Sequence, residues 1–122
     1  ERSMDERLEK ALEFSNYMVT LNNQKRVLRE NFRESSVFYY NGAQFTVTKQ
    51  LVSFVNLLVD KGATDDVVLI DDNELPALIE NLDEFLSEIM NTYFTAANTY
   101  HQEYQKLIKN RSTMNLVGYE SE

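Results

Sequence analysis

The densest group of side chains able to do chemistry is Asp65, Asp66, Asp71, Asp72 and Glu74, continuing to Glu80, Asp83 and Glu84. Oxygen-rich loops hold Ca²⁺ when carboxylates alternate around a sharply turning Gly and end on a spaced Glu. The Asp71-Asp72-Asn73-Glu74 stretch has neither the Gly nor the final Glu, so it reads as a turn followed by acids favouring a helix start. Glu84 and Glu88 lie one helical turn apart and project together. An acid/base pair needs a pocket to shift a pKa, and a solvated helix face is the simpler reading. His101 is the only histidine. With no cysteine and no second histidine it makes a poor metal ligand, and it reads as a surface side chain beside Tyr100 and Tyr104. The sequence holds no G-x-S-x-G, P-loop or G-x-G-x-x-G pattern, and its three glycines leave little for a phosphate cradle. No catalytic, cofactor-binding or metal-ligating residue is assigned, no cofactor is expected, and the expectation is that the protein is not an enzyme.

The bulk numbers narrow the classes further. The chain has 122 residues, 43% hydrophobic and 26% charged, which suits one domain with a modest core. Its net charge of −8 would be repelled by a phosphate backbone, so nucleic acid is not the expected partner. The basic run Lys25, Arg26, Arg29 and Arg33 is better matched to acidic segments of its own chain or a second copy. No apolar run reaches the ~20 residues of a membrane span, and no secretory signal is visible. The expected location is therefore cytoplasmic, with Met4 a candidate initiator, and the glycosylation triplet Asn110-Arg111-Ser112 is read as coincidental.

Two long helices must position everything else. The last, Asn81 to about Asn110, opens on a capping pair, Asn81 and Glu84. Leu82, Leu86, Ile89, Tyr93, Ala96, Tyr100 and Leu107 then recur at steps of three and four, a continuous stripe broken at Glu103. The first helix, about Met4 to Arg33, opens on Ser3 and Glu6. It carries Met4, Ala11, Phe14, Met18, Leu21, Leu28 and Phe32 at the same spacing, with Leu8, Tyr17 and Val27 widening the face. Lys25 falls on this seam and can lay its stem along the groove. Neither stripe can be buried by its own helix, so each needs a partner of similar length.

Between the helices lies an α/β insert at about 37–79. Asn41-Gly42 between β-rich runs marks a tight hairpin, because a type I′ turn needs positive φ at both positions. That turn sets Tyr40 opposite Ala43 and Phe38 opposite Phe45. Phe38, Tyr40, Ala43, Phe45 and Val47 then share the side predicted to be buried, and Tyr39, Gln44 and Thr46 share the other. Thr48 caps a short helix, Lys49 to about Lys61, with Leu51, Phe54, Val55, Leu58 and Val59 as its apolar face, and Gly62 stops it. A second hairpin follows, residues 66–79 around the Asp71 turn. Pro76 cannot donate to a ladder, which confines its strand to an edge.

The fold class is therefore α+β, mostly α: two long antiparallel helices with an inserted β-hairpin–short helix–β-hairpin cap. The domain covers 1–111, and 112–122 reads as a flexible acidic tail. Both helices are acidic at the start and basic at the end, so antiparallel pairing sets unlike ends together. Exposed pairs are worth only ~0.2–1 kcal/mol each, so charge selects orientation more than it stabilises. A two-helix hairpin leaves another apolar flank open. The residues expected there, the interface candidates, are Phe85, Met90, Tyr104 and Ile108, with Tyr17 and Tyr100 as aromatic contributors. Two hairpins joining in a four-helix bundle would cover them, which predicts a homodimer or larger homo-oligomer.

The segments FSNYMVTLNNQK, VVLIDDNELPALIENLDEFL and EYQKLIKNRS resemble small uncharacterised proteins of T4-like marine tailed phages, over most of the chain. The resemblance implies a viral product in a host cell's cytoplasm, with a phage or host protein as partner and no activity to carry over. The element order is also similar to the layout of prefoldin subunits, though the helices here are shorter. The leading expectation is a non-enzymatic assembly or protein-interaction protein that self-associates through its long amphipathic helices. A prefoldin-like chaperone and an acidic inhibitor mimicking nucleic acid are the two alternatives.

Overall fold

The computed structural model describes residues 4–120, and side chains over 4–110. The elements run α1 (Met4–Ser35), β1 (Val37–Tyr40), β2 (Ala43–Thr46), α2 (Lys49–Asp60), β3 (Asp65–Ile70), β4 (Pro76–Asn81) and α3 (Leu82–Glu120). This is the α+β, mostly helical arrangement expected, with two antiparallel two-stranded hairpins. On α1, Phe32 packs on Tyr93 and Tyr100 of α3, while Lys25 lies over Tyr104. Contacts that step back along α1 step forward along α3, so the two helices run antiparallel. Ser3, expected to cap α1, lies outside the described residues.

Two compact units share these helices: Asn31–Tyr100, and the pair of segments Glu1–Glu30 and His101–Glu122. In the first unit the chain is built from short-range signals. Ser35 and Ser36 turn their hydroxyls back onto the carbonyls of Asn31 and Phe32, at 2.8 and 2.7 Å, and so satisfy groups that the end of α1 leaves open. Asn41 and Gly42 sit at φ 46° and 84°, the tight turn the sequence asks for, with Tyr40 opposite Ala43 and Phe38 opposite Phe45. The Thr48 hydroxyl accepts the Leu51 N–H at 3.1 Å and starts α2. Asn81 ends β4 and caps α3 in the same residue, its side chain accepting the Glu84 N–H at 3.1 Å.

The core of this unit is Phe45, Val47, Val55, Leu69, Ile79, Leu82, Phe85, Leu86 and Ile89. The hairpin face predicted to be inward is inward: Phe45 and Val47 are buried, and Phe38, Tyr40 and Ala43 pack against the same cluster. Phe54 is a correction. Its spacing puts it on the apolar face of α2, yet it is 52% exposed. It sits about 100° around the helix from the fully buried Val55, which Leu51, Val52, Leu58 and Val59 flank.

In the other unit, among the described residues, Leu21 is the buried side chain of α1. Lys25, on the seam, places its Nζ 5.8 Å from the centre of the Tyr104 ring. The end of α3 differs from the expected one near Asn110. The helix passes Asn110 and continues to Glu120. Residues 112–117 contain neither Gly nor Pro, so nothing local ends the helix there.

Candidate interaction surfaces

The acidic cluster is structural. The Asp71 carboxylate accepts the N–H groups of Asn73 and Leu75, each at 2.9 Å, and that of Gln44 at 3.2 Å. The Leu75 N–H, opposed by burial and helped by the N–H groups of Gln44 and Asn73, holds the Asp71 carboxyl below the usual aspartate range. Asp72 accepts from the Thr46 N–H at 3.0 Å, the Thr46 hydroxyl at 2.6 Å and the Gln44 side-chain amide at 3.2 Å. Its own N–H donates to the Gln44 carbonyl at 2.8 Å. In this tight hairpin the backbone groups of Gln44 and Thr46 point away from β1, along the open edge of β2. The Asp71-Asp72 turn therefore covers an exposed strand edge, a structural task that leaves these oxygens committed to N–H and O–H donors. Among the described residues no group of His, Asp or Glu has metal-binding geometry. Glu84, Glu88 and His101 are all exposed.

The six interface candidates separate. Phe85 is the correction among them: it is 1% exposed and lies at the centre of the core. Its ring meets Phe38 and Tyr40 at 5.7 Å and Phe45 at 5.2 Å, each edge-to-face. The first hairpin folds over the flank that a bare helical pair would have left open. Tyr100 is half-buried against Phe32, with ring centres 5.1 Å apart. In the other unit Tyr17, Tyr104 and Ile108 are half-buried, Tyr17 in ring contact with Phe14 and Tyr104 beneath Lys25. Met90 stays accessible and lines a cleft of about 330 Å³ between α2 and α3, with Lys49, Val52, Ser53, Tyr93 and Phe94. Its lining is mostly apolar, with one ammonium at the rim.

Sequence reasoning missed two surfaces. On α1, Leu8, Leu12 and Val19 are all exposed. Steps of four and seven keep them within about 40° of one another, well over 100° from Leu21. The signal is present as helical spacing, but the seam reading takes in Leu8 alone and passes over Leu12 and Val19. On the second hairpin, Val68, Ile70, Leu75 and Leu78 are exposed. Val68 and Leu78 are register partners on the face opposite Leu69 and Ile79. Alternation marks these strands as two-faced. That both faces are apolar reads, from sequence, as a fully buried strand. No helix among the described residues is long and apolar enough to cross a membrane. Compared with protein-family models, curated proteins and solved structures, the chain matches none.

Proposed function

We propose that this chain is a non-enzymatic assembly or protein-interaction protein, of phage origin and acting in the host cytoplasm, that self-associates through its two long helices. One observation carries the reading: α1 is apolar on two sides. Phe14 and Met18 continue the Leu21 face toward the N-terminus, and Leu8, Leu12 and Val19 form a second stripe, yet all five are more than a third exposed. A helix with apolar stripes on opposite sides is suited to an interior position, between one neighbour in its own chain and another outside it. Two helical hairpins packed together provide that neighbour and make a four-helix bundle. The viral origin rests on the three segments quoted above.

Sedimentation velocity over a hundredfold concentration range tests the association. The expected result is a dimer or larger species that dissociates on dilution. A monomer that persists at the highest concentration overturns it.

A further inference from the structure

We propose that the open edge of β4 binds an extended, cationic segment of another protein, adding it as a third strand to the second hairpin. This goes beyond the self-association above and uses a different surface. The argument starts from the ladder. The Asp71 N–H donates to the Leu75 carbonyl at 2.9 Å, which makes that pair the hydrogen-bonded one. Antiparallel alternation then bonds Leu69 with Ala77 and Val67 with Ile79. The intervening residues Pro76 and Leu78 turn their backbone groups away from β3; beyond Ile79 the alternation shifts, with Asp66 at φ 53° and the Leu82 N–H donating to the Thr64 carbonyl at 2.7 Å. The Glu80 N–H also points away from β3, because it reaches the Tyr40 hydroxyl on the first hairpin, at a long 3.5 Å. Leu78, two residues back on the same edge, faces the same way. Pro76 sits where its missing N–H costs no ladder bond.

That edge borders a groove of about 420 Å³, walled on the other side by Tyr40, Asn41 and Ala43. Pro76 to Glu80 run along it for about 17 Å at ~3.4 Å per residue. An added strand would offer Leu78 both a donor and an acceptor, and give the Glu80 N–H a nearer acceptor than the tyrosine.

Charge selects the occupant. From Gly62 to Gln105 the chain has ten carboxylates and no Lys or Arg. Glu80 lies on the same face of the hairpin as Leu78, two residues along. A guest strand would thus place an aliphatic side chain beside Leu78 and a Lys or Arg beside Glu80, two positions apart. A second copy bringing its own β4 would bring the same ten-carboxylate, Lys- and Arg-free stretch to this edge, which opposes self-pairing there.

The probe is a capped octapeptide, Val-Thr-Lys-Thr-Val-Thr-Lys-Thr, titrated into the full chain while backbone amide resonances are followed. The expected result is saturable movement of the Leu78 and Glu80 amides, lost when alternate peptide nitrogens on the pairing edge are methylated. Binding should fall at least tenfold in the Glu80→Lys variant, and should be absent for the peptide with glutamate in place of lysine. Circular dichroism confirms that the variant folds, and the peptide arms stand without it. Unmoved Leu78 and Glu80 amides at millimolar peptide overturn the proposal. So does equal binding of the methylated or glutamate peptide. Movement of those amides with protein concentration alone would show a second copy on the edge and also overturn it.

Discussion

The segment 31–100 and the paired segments 1–30 and 101–122 solve different problems with similar material. The first holds the nine-residue core and 11 carboxylates against three Lys and Arg; the second holds nine acids and nine bases. The whole net charge of −8 thus belongs to the unit that has a core of its own. The charge-balanced unit has Leu21 as its buried apolar side chain among the described residues, and it leaves Leu8, Leu12 and Val19 in solvent. A packed core tolerates self-repulsion at its surface, because burial supplies the larger energy. Balanced charge on the other two segments removes net repulsion between copies, as the proposed self-association requires. On the proposed reading, stability and association lie in different parts of one chain.

The strongest way to break this contrast is Phe85→Ala. Removing a ring that touches three others should cost about 3–5 kcal/mol and unfold the 31–100 unit at modest urea, read from the midpoint of denaturation. A loss below about 1 kcal/mol would mean that the core does not centre on this ring. The double change Leu8→Glu with Val19→Glu should act on the other unit alone. It should weaken self-association at least tenfold in sedimentation, while amide exchange in β1–β4 stays as in the parent. Unchanged association would remove α1 from the interface.

Smaller effects sharpen the role of the Asp71-Asp72 turn. Asp72→Ala deletes three acceptor contacts on β2 and should lower stability by about 1 kcal/mol, because water can replace part of what is lost. Asp71 adds a pH dependence. Its folded pKa lies below the unfolded one, so its contribution is complete above the ordinary aspartate range and is lost as pH falls through the folded value. The gap in melting temperature between the parent and Asp71→Asn should therefore close in acid and be constant near neutrality. A gap that widens in acid would reverse the sign. The smallest change is Glu74→Gly. Glu74 closes the turn at φ 62°, a left-handed position that glycine adopts without strain, so the variant should gain a few tenths to about 1 kcal/mol.

How much of this could be read beforehand depends on range. The Asn41-Gly42 turn, the Thr48 and Asn81 caps and the inward set Phe38, Tyr40, Ala43, Phe45 and Val47 were legible. Each depends on residues within a few positions or on strict alternation. The antiparallel pairing was legible from two matched stripes and their charge gradients. The place of Phe85 was not, because a flank position on a helix looks the same whether solvent, a second copy or a hairpin covers it. The edge-covering task of Asp71 and Asp72 was also hidden. Their turn chemistry is local, but the strand they protect lies 26–28 residues earlier.

The amino-acid order alone thus determined which stretches coil, which extend, where the chain reverses and which side of each element is greasy. Those choices follow from dihedral preferences and hydrogen bonds that close within one or two turns of backbone. The folded chain alone decided which greasy sides meet. The first hairpin covers Phe85, nothing among the described residues buries the second stripe of α1, and β4 keeps a bare edge over an acidic groove. The reason is volume: a side chain is buried only where another element arrives to exclude water, and that arrival depends on the path of the whole chain.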